Sequence, residues 1–349
     1  MEKITLPDIA DPTAPSKMLA ACPMHEVTAL RPLEALAATL GWSTIYAKDE
    51  TDRMGLGSFK ALGGAYAVLC LVRDALRQSL KREPDFSDIT DAKGSTALQN
   101  ITVCCASAGN HGLSVAAGAA VFGVGCEVFL ADTVPESFAQ RLRNKGARVV
   151  RAGSVYEDAM AAAVSRARDK GVTLVSDASW DGEMHVPSLV MQGYAVMADE
   201  IYRKFSAWGD WPTHVALQAG VGGVAASVTA HIREHWPVQP EIVVVEPDRA
   251  ACLSNSVVAG HVVRADGPVS NMGRLDCKEP SLRAFKVLRE MADSFVLISD
   301  EQAESAMVLL RDHGLLTTPS GAAGLAGLIK HLPQQDARVL ILVTEGEVA

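Results

Sequence analysis

Between residues 101 and 176 the chain alternates short apolar runs with stretches of helical spacing, joined by links of a few residues. Residues 101–106, 126–131, 148–152 and 173–176 read as strands, and 111–122, 135–145 and 155–170 as helices. Parallel strands need a long crossover, most simply a helix, so this alternation predicts a parallel sheet wrapped by helices. A second series follows: a helix over 187–205, a strand over 214–218, a helix after Gly223 and a strand over 241–246. Helices near 281–292, 300–313 and 321–331 precede a last strand over 339–344. Upstream, 32–41 has helical spacing, 44–48 reads as a strand and 58–77 as a long helix, while 78–100 is a polar surface insertion or hinge. Residues 1–30 show no periodicity and read as an irregular arm.

A chain of 349 residues, 48% hydrophobic and 21% charged, can bury two lobes. The expected class is α/β, with a small lobe over 97–186 and a large lobe joining 1–96 to 187–349. Each lobe is then a mostly parallel sheet flanked by helices. A formal net charge of -9 argues against nucleic acid or an anionic membrane as partner. The start, Met1-Glu2-Lys3-Ile4, lacks the blocks of a signal peptide, and no run has the length of a membrane helix, so a cytoplasmic protein is expected. The seven cysteines and the histidines show no metal-ligand spacing, so no metal is expected. Cys104 and Cys105 lie in a strand-like run, where burial is the simpler role than redox pairing.

Three glycine-bearing segments carry the chemistry. The run from Lys48 to Lys60 ends a strand, turns at Gly55 and Gly57, and delivers Phe59 and Lys60 to a helix start. Crowding there predicts a desolvated Lys60 held as the neutral amine, the form that condenses with aldehydes. Ser107-Ala108-Gly109-Asn110-His111-Gly112 leads from a strand into a helix, where backbone amides can hold a carboxylate. Gly220-Val221-Gly222-Gly223 does the same further on, and such loops gather donors around phosphate. Each turn alone also suits plain packing or an Asn cap. In this order they suit pyridoxal phosphate, which needs an amine, a phosphate cradle and polar groups around its ring.

The strongest signals are Lys48-Asp49-Glu50, Arg53-x-Gly55-Leu56-x-x-Phe59-Lys60-x-Leu62-Gly63-Gly64-x-Tyr66-Ala67, Asp177-x-Ser179-Trp180-x-Gly182 and Met191-Gln192-Gly193-Tyr194. Through them the chain, from about residue 26 to its end, resembles the pyridoxal-phosphate enzymes of fold type II, the threonine dehydratase and tryptophan synthase β family. Within that family it is most similar to the diaminopropionate ammonia-lyases.

The resemblance implies that Lys60 carries the cofactor, with Phe59 beside it, that Asn110 faces the ring oxygen and that Gly220, Val221, Gly222 and Gly223 hold the phosphate. Thr344 would meet the pyridine nitrogen, and Asp177 would be the base used on an L-substrate. Ser107, Ala108, Gly109 and His111 would meet the substrate carboxylate as the small lobe closes. A second aspartate, which the ammonia-lyases use on the D-isomer, is replaced here by Ala108, and their Glu-Ser-Gly by Pro319-Ser320-Gly321.

The implied activity is α,β-elimination from a small amino acid, 2,3-diaminopropionate above others, yielding pyruvate and two ammonia, in a homodimer. A serine, threonine or 3-hydroxyaspartate dehydratase, a β-replacement synthase and a non-catalytic cofactor-binding paralogue are the alternatives. Glu246, at a strand end, reads either as a structural or cation contact or as a buried capping carboxylate.

Overall fold

The computed structural model describes residues 7–20, 22–332 and 336–347, which form ten strands. These are β1 (Leu30–Pro32), β2 (Thr44–Asp49), β3 (Thr102–Ala106), β4 (Gly125–Leu130), β5 (Arg148–Arg151), β6 (Val172–Leu174), β7 (His214–Gln218), β8 (Glu241–Pro247), β9 (Ser294–Ile298) and β10 (Arg338–Val343). Six make one sheet in the order β1-β2-β10-β7-β8-β9, and four make a second in the order β5-β4-β3-β6. Every pairing is parallel except β1 with β2. The central strands are apolar runs because both of their faces are covered: Ile242 to Val245 of β8 are wholly buried. Cys104 and Cys105 point to opposite faces of β3, into separate apolar clusters, so neither can bond the other.

Several elements depart from the sequence expectation. The arm contains two short helices, Pro7–Ala10 and Thr13–Leu19, with Ile9 buried and its carbonyl accepting from the Ser227 hydroxyl at 3.1 Å. Residues 1–6 and 21 of that arm lie outside the described residues. Strand β9 and the helix Cys252–Ala259 were not anticipated. Four apolar residues after Ser294, between two helices, become a strand only because β8 offers an open edge, which is a non-local fact. Pro32 ends β1, where a missing N–H is tolerated because β1 is an edge strand. The polar stretch 78–100 is anchored by Ile89, Ala92 and Leu98, and Asp85 caps the short helix Phe86–Thr90 by accepting from Asp88 N at 2.9 Å.

The two sheets are bridged by the helix Lys60–Leu80, which packs against Asn110–Phe122 on one side and His185–Trp208 on the other. Small residues make this possible. A Cβ on Gly64 would fall 2.5 Å from the Ser114 hydroxyl, and one on Gly193 would fall 2.5 Å from the Leu62 carbonyl. The Met191-Gln192-Gly193-Tyr194 signal is therefore a helix crossing directly beneath Lys60. Gln192 adds a hydrogen bond from the Tyr66 hydroxyl at 3.2 Å.

Four buried charges fasten the start of this helix. Lys48 donates to Glu200 at 2.6 Å, and the Arg53 guanidinium reaches Glu50 at 2.6 and 2.8 Å and Glu200 at 2.7 and 2.8 Å. Lys48 and Arg53 also donate to the Thr28 and Glu26 carbonyls, each at 2.8 Å. Two cations and two anions cancel, which is the condition under which such groups can leave water. Replacing Arg53 by Met leaves Glu50 without a cation and Glu200 with Lys48 alone, and we expect a loss of about 3–5 kcal/mol in denaturant unfolding. A loss below about 1 kcal/mol would show that the cluster is not holding this region.

Candidate active site

Five segments leave the carboxyl ends of strands and converge: Phe59-Lys60 after β2, Ser107–His111 after β3, Asp177 after β6, Gly220–Gly223 after β7 and Thr344-Glu345 after β10. In open parallel sheets this is the edge at which ligands bind, because the loops there diverge and helix N-termini face the gap. Lys60 is brought there by a tight path with three left-handed residues, Met54 (φ 56°), Gly55 (φ 65°) and Gly57 (φ 80°). Two backbone bonds then join this path to the end of β10, from Phe59 N to the Thr344 carbonyl and from Gly346 N to the Gly57 carbonyl, both at 3.1 Å.

Lys60 donates to the carboxylate of Asp177. Burial alone would lower the Lys60 pKa, but Asp177, with Tyr194 and Cys277 nearby, outweighs it and holds the ammonium above the ordinary lysine range. This corrects the expected neutral amine: crowding is present, yet the counter-ion decides the charge. Burial would likewise raise Asp177, but the Lys60 ammonium holds it well below the usual carboxylate range. His111 is neutral, because burial lowers its pKa, and its Nε2 donates to the Val175 carbonyl at 2.8 Å. Its Nδ1 has no partner among the described residues.

Asp177 is tied to the large sheet's side of the cleft by the rest of its signal. The Ser179 hydroxyl accepts from Arg283 N at 2.8 Å at the start of the helix Leu282–Met291 and bonds the Ser281 hydroxyl at 2.8 Å. Gly222 is left-handed (φ 93°) and opens the helix Gly223–His235 without a capping side chain, so its first amides face the cleft unpaired by side chains. A Cβ there would also lie 2.9 Å from Leu253. In the other turn Ser107 Oγ accepts from Gly109 N at 3.3 Å, and a Cβ on Gly112 would sit 2.2 Å from the Ser107 carbonyl, so the turn can close only over glycine. Ala108 and Ser107 border a cavity of about 160 Å³ that continues between Phe129, Val134 and Tyr156.

Thr344 is buried, and its hydroxyl accepts from Gln218 Nε2 at 3.3 Å, which leaves its own proton free to donate. Asn110 donates to Glu345, which also accepts from the Thr318 hydroxyl at 2.6 Å. The second amide proton of Asn110 has no protein acceptor among the described residues. Pro319 occupies the first turn of the helix Pro319–His331, capped by Thr318, where a missing N–H costs nothing. Glu246 accepts from Leu253 N at 2.7 Å and Ser254 N at 2.8 Å, so of its two readings the capping carboxylate is the one present.

Sequence reasoning assigned no role to Tyr194, Gln218, Arg274, Cys277 or Glu345, all of which lie at this cleft. Tyr194 stood inside a quoted segment, Gln218 at the end of an expected strand and Glu345 directly after Thr344, whereas Arg274 and Cys277 sit in stretches without local pattern. The Tyr194 hydroxyl is buried beside Lys60 and makes no well-formed hydrogen bond among the described residues, its ring 5.0 Å from that of Phe59. Among the described residues no group of three His, Cys, Asp or Glu could hold a metal, and no helix is long and apolar enough to cross a membrane. An amine, an amide cradle that excludes side chains, an available hydroxyl at 344 and an orphaned phenol together fit a phosphorylated aldehyde such as pyridoxal phosphate.

Comparison with known proteins agrees. Residues 22–345 match the family model described as pyridoxal-phosphate dependent enzyme. The chain is 32% identical over 343 residues to diaminopropionate ammonia-lyase of Escherichia coli strain K12, covering 93% of this chain and 85% of that one. A crystal structure of the Escherichia coli diaminopropionate ammonia lyase in complex with an aminoacrylate-PLP azomethine reaction intermediate superposes with a TM-score of 0.83 at 30% identity, over 96% and 88% of the two chains. The L-threonine ammonia-lyase of Geobacter sulfurreducens is 30% identical over 228 residues, 65% of this chain and 54% of that one.

Two outcomes follow from this geometry. Tyr194→Phe removes a hydroxyl that makes no well-formed hydrogen bond among the described residues, so unfolding of the cofactor-free protein should change by no more than about 1 kcal/mol; a loss above about 2 kcal/mol would show that its contact with Lys60 is a bond. Burial pushes Glu246 up to about 7 from 4.5. A raised carboxyl favours the fold most below its unfolded pKa, and that advantage is lost as pH climbs through the folded value. Stability should therefore fall by roughly 3 kcal/mol between pH 4.5 and 7 relative to Glu246→Gln. Parallel stability curves for the two proteins would show that Glu246 titrates as an ordinary glutamate.

Proposed function

The chain belongs to the pyridoxal-phosphate dependent enzymes, in the group that includes the diaminopropionate ammonia-lyases, and on that premise we propose α,β-elimination from a small amino acid bearing a β-leaving group. The proposed substrate is 2,3-diaminopropionate, which with one water yields pyruvate and two ammonia. The observation that carries this is the Lys60–Asp177 pair, set between the 220–223 loop and the 107–111 turn.

Lys60 would hold the cofactor, the amides of 220–223 its phosphate, and Thr344 and Asn110 the polar atoms of its ring. Bound there, pyridoxal phosphate supplies an electron sink for the charge left at Cα when the α-proton departs. A hydroxyl rather than a carboxylate at position 344 would leave the ring nitrogen largely unprotonated, which suits elimination over transamination. Asp177 is ionised and within hydrogen-bond reach of Lys60, so the two groups can pass a proton between them. One removes the α-proton, and the other returns a proton to the departing β-nitrogen. A carboxylate also attracts a cationic β-ammonium, which gives Asp177 a second use with this substrate. Residues 97–186 would close over the cleft and exclude water, bringing Ser107, Ala108, Gly109 and His111 to the carboxylate. The family resemblance also carries an expectation of a homodimer, and sedimentation of the purified protein tests it.

A second reading, dehydration of a β-hydroxy amino acid, is favoured by Pro319, which leaves no carboxylate at the rim where the ammonia-lyases carry one, and by the similarity to L-threonine ammonia-lyase. Release of keto acid and ammonia from both diaminopropionate enantiomers, L-serine, L-threonine and 3-hydroxyaspartate separates the two. Diaminopropionate should lead by kcat/KM; a β-hydroxy acid in first place would replace the proposal.

Lys60→Ala should lower turnover about a thousandfold or more, and Asp177→Asn should lower kcat by about 10²–10⁴ with KM little changed. Activity within tenfold of the parent in Lys60→Ala would end the elimination mechanism as stated.

A further inference from the structure

Arg274 belongs to none of the roles above, yet it spans the cleft. Its main chain lies on the phosphate-loop side: N donates to Ser320 Oγ at 3.1 Å, and its carbonyl is 3.2 Å from where a Cβ on Gly220 would stand. Its side chain reaches the opposite turn. Nη1 lies 2.9 Å from the place of a Cβ on Gly109, and the guanidinium sits 5.8 Å from the Phe138 ring on the helix Glu136–Asn144.

That is an unfavourable place for an isolated cation. Gly109 is the N-cap of the thirteen-residue helix Asn110–Phe122, with no capping side chain, and helix N-termini repel positive charge. The nearest protein anion is Glu345, but its Oε2 is 3.6 Å from Arg274 Nε, outside hydrogen-bond range, and its oxygens already serve Asn110 and Thr318. Among the described residues the guanidinium makes no hydrogen bond, although it offers five N–H donors in a planar fork. The guanidinium donors and the helix N-terminus at Gly109 thus border one gap, and both favour an anion there. A carboxylate, planar and with two acceptor oxygens, matches the fork.

We propose that Arg274 is a substrate-binding residue that grips the α-carboxylate of the amino acid against the 107–109 turn, and so sets the enzyme's preference for free amino acids. This rests on the elimination reading above, since it assumes an amino acid in the cleft. Arg274 acts on binding and orientation; the proton transfers stay with Lys60 and Asp177.

The test uses the holoenzyme and three probes that cannot eliminate: L-alanine, L-alaninamide and L-aspartate, titrated calorimetrically and by the visible band of the cofactor. The parent protein should bind alanine about ten- to a hundredfold tighter than alaninamide. Arg274→Met should erase most of that preference while leaving alaninamide affinity within about twofold, and Arg274→Lys should retain part of it. In turnover, KM should rise by the same factor with kcat little changed. An unchanged preference in Arg274→Met would overturn the proposal, because the turn amides alone would then suffice. Parallel weakening of alanine and alaninamide would also overturn it, revealing a strut between the lobes. Loss confined to aspartate would assign the guanidinium to a second carboxylate instead. Failure of the parent to bind any of the three would overturn the amino-acid reading itself, and this inference with it.

Discussion

The cofactor-holding edge depends on a cluster of four charges that never meets solvent. Lys48 and Arg53 face Glu50 and Glu200, and all four are buried. They bind the end of β2, the left-handed turn after it, the segment near Thr28 and the long helix His185–Trp208 into one unit. Charged pairs in a low dielectric are intolerant of displacement, since moving one partner leaves the other unpaired. The turn between them is therefore held in a backbone conformation that Met54 would not adopt freely, and Lys60 emerges from it at one position.

The same physics reappears at the cleft with the opposite purpose. Lys60 and Asp177 form a partly buried pair in which each group fixes the charge of the other, so both are poised to exchange a proton. Around them the helix N-termini at Gly109 and Gly222, together with Arg274, present donors, and the acceptors of Glu345 are already engaged. A site of this kind attracts phosphate and carboxylate while the whole chain carries a net negative charge. Global charge argued against nucleic acid as a partner without bearing on small anions.

Much of the architecture was legible because helices and buried strands leave strong local signatures. β7, β8 and β10 and the helices Lys60–Leu80, Asn110–Phe122 and Gly223–His235 lie within a few residues of where their apolar patterns put them. β9 escaped notice because its identity depends on the edge of β8, and the arm's helices because Pro7–Ala10 is stabilised by what it packs against. In the cleft, Lys60 and the glycine turns were marked by residue type and order, and Asp177 by the family resemblance alone. The charge state of Lys60 was read the wrong way, since burial is visible in a crowded sequence whereas a counter-ion 117 residues away is not.

The order of strands and helices, the glycines that no side chain could replace, and the nucleophilic amine at a helix start were all determined by the sequence itself, because steric and periodic constraints act between near neighbours. Only the tertiary structure decided that Asp177 would face Lys60, that Lys48, Glu50, Arg53 and Glu200 would neutralise one another, and that Arg274 would lie across the Gly109 turn. Coulomb interactions and desolvation depend on distance in space and on who excludes the water, and chain position carries neither.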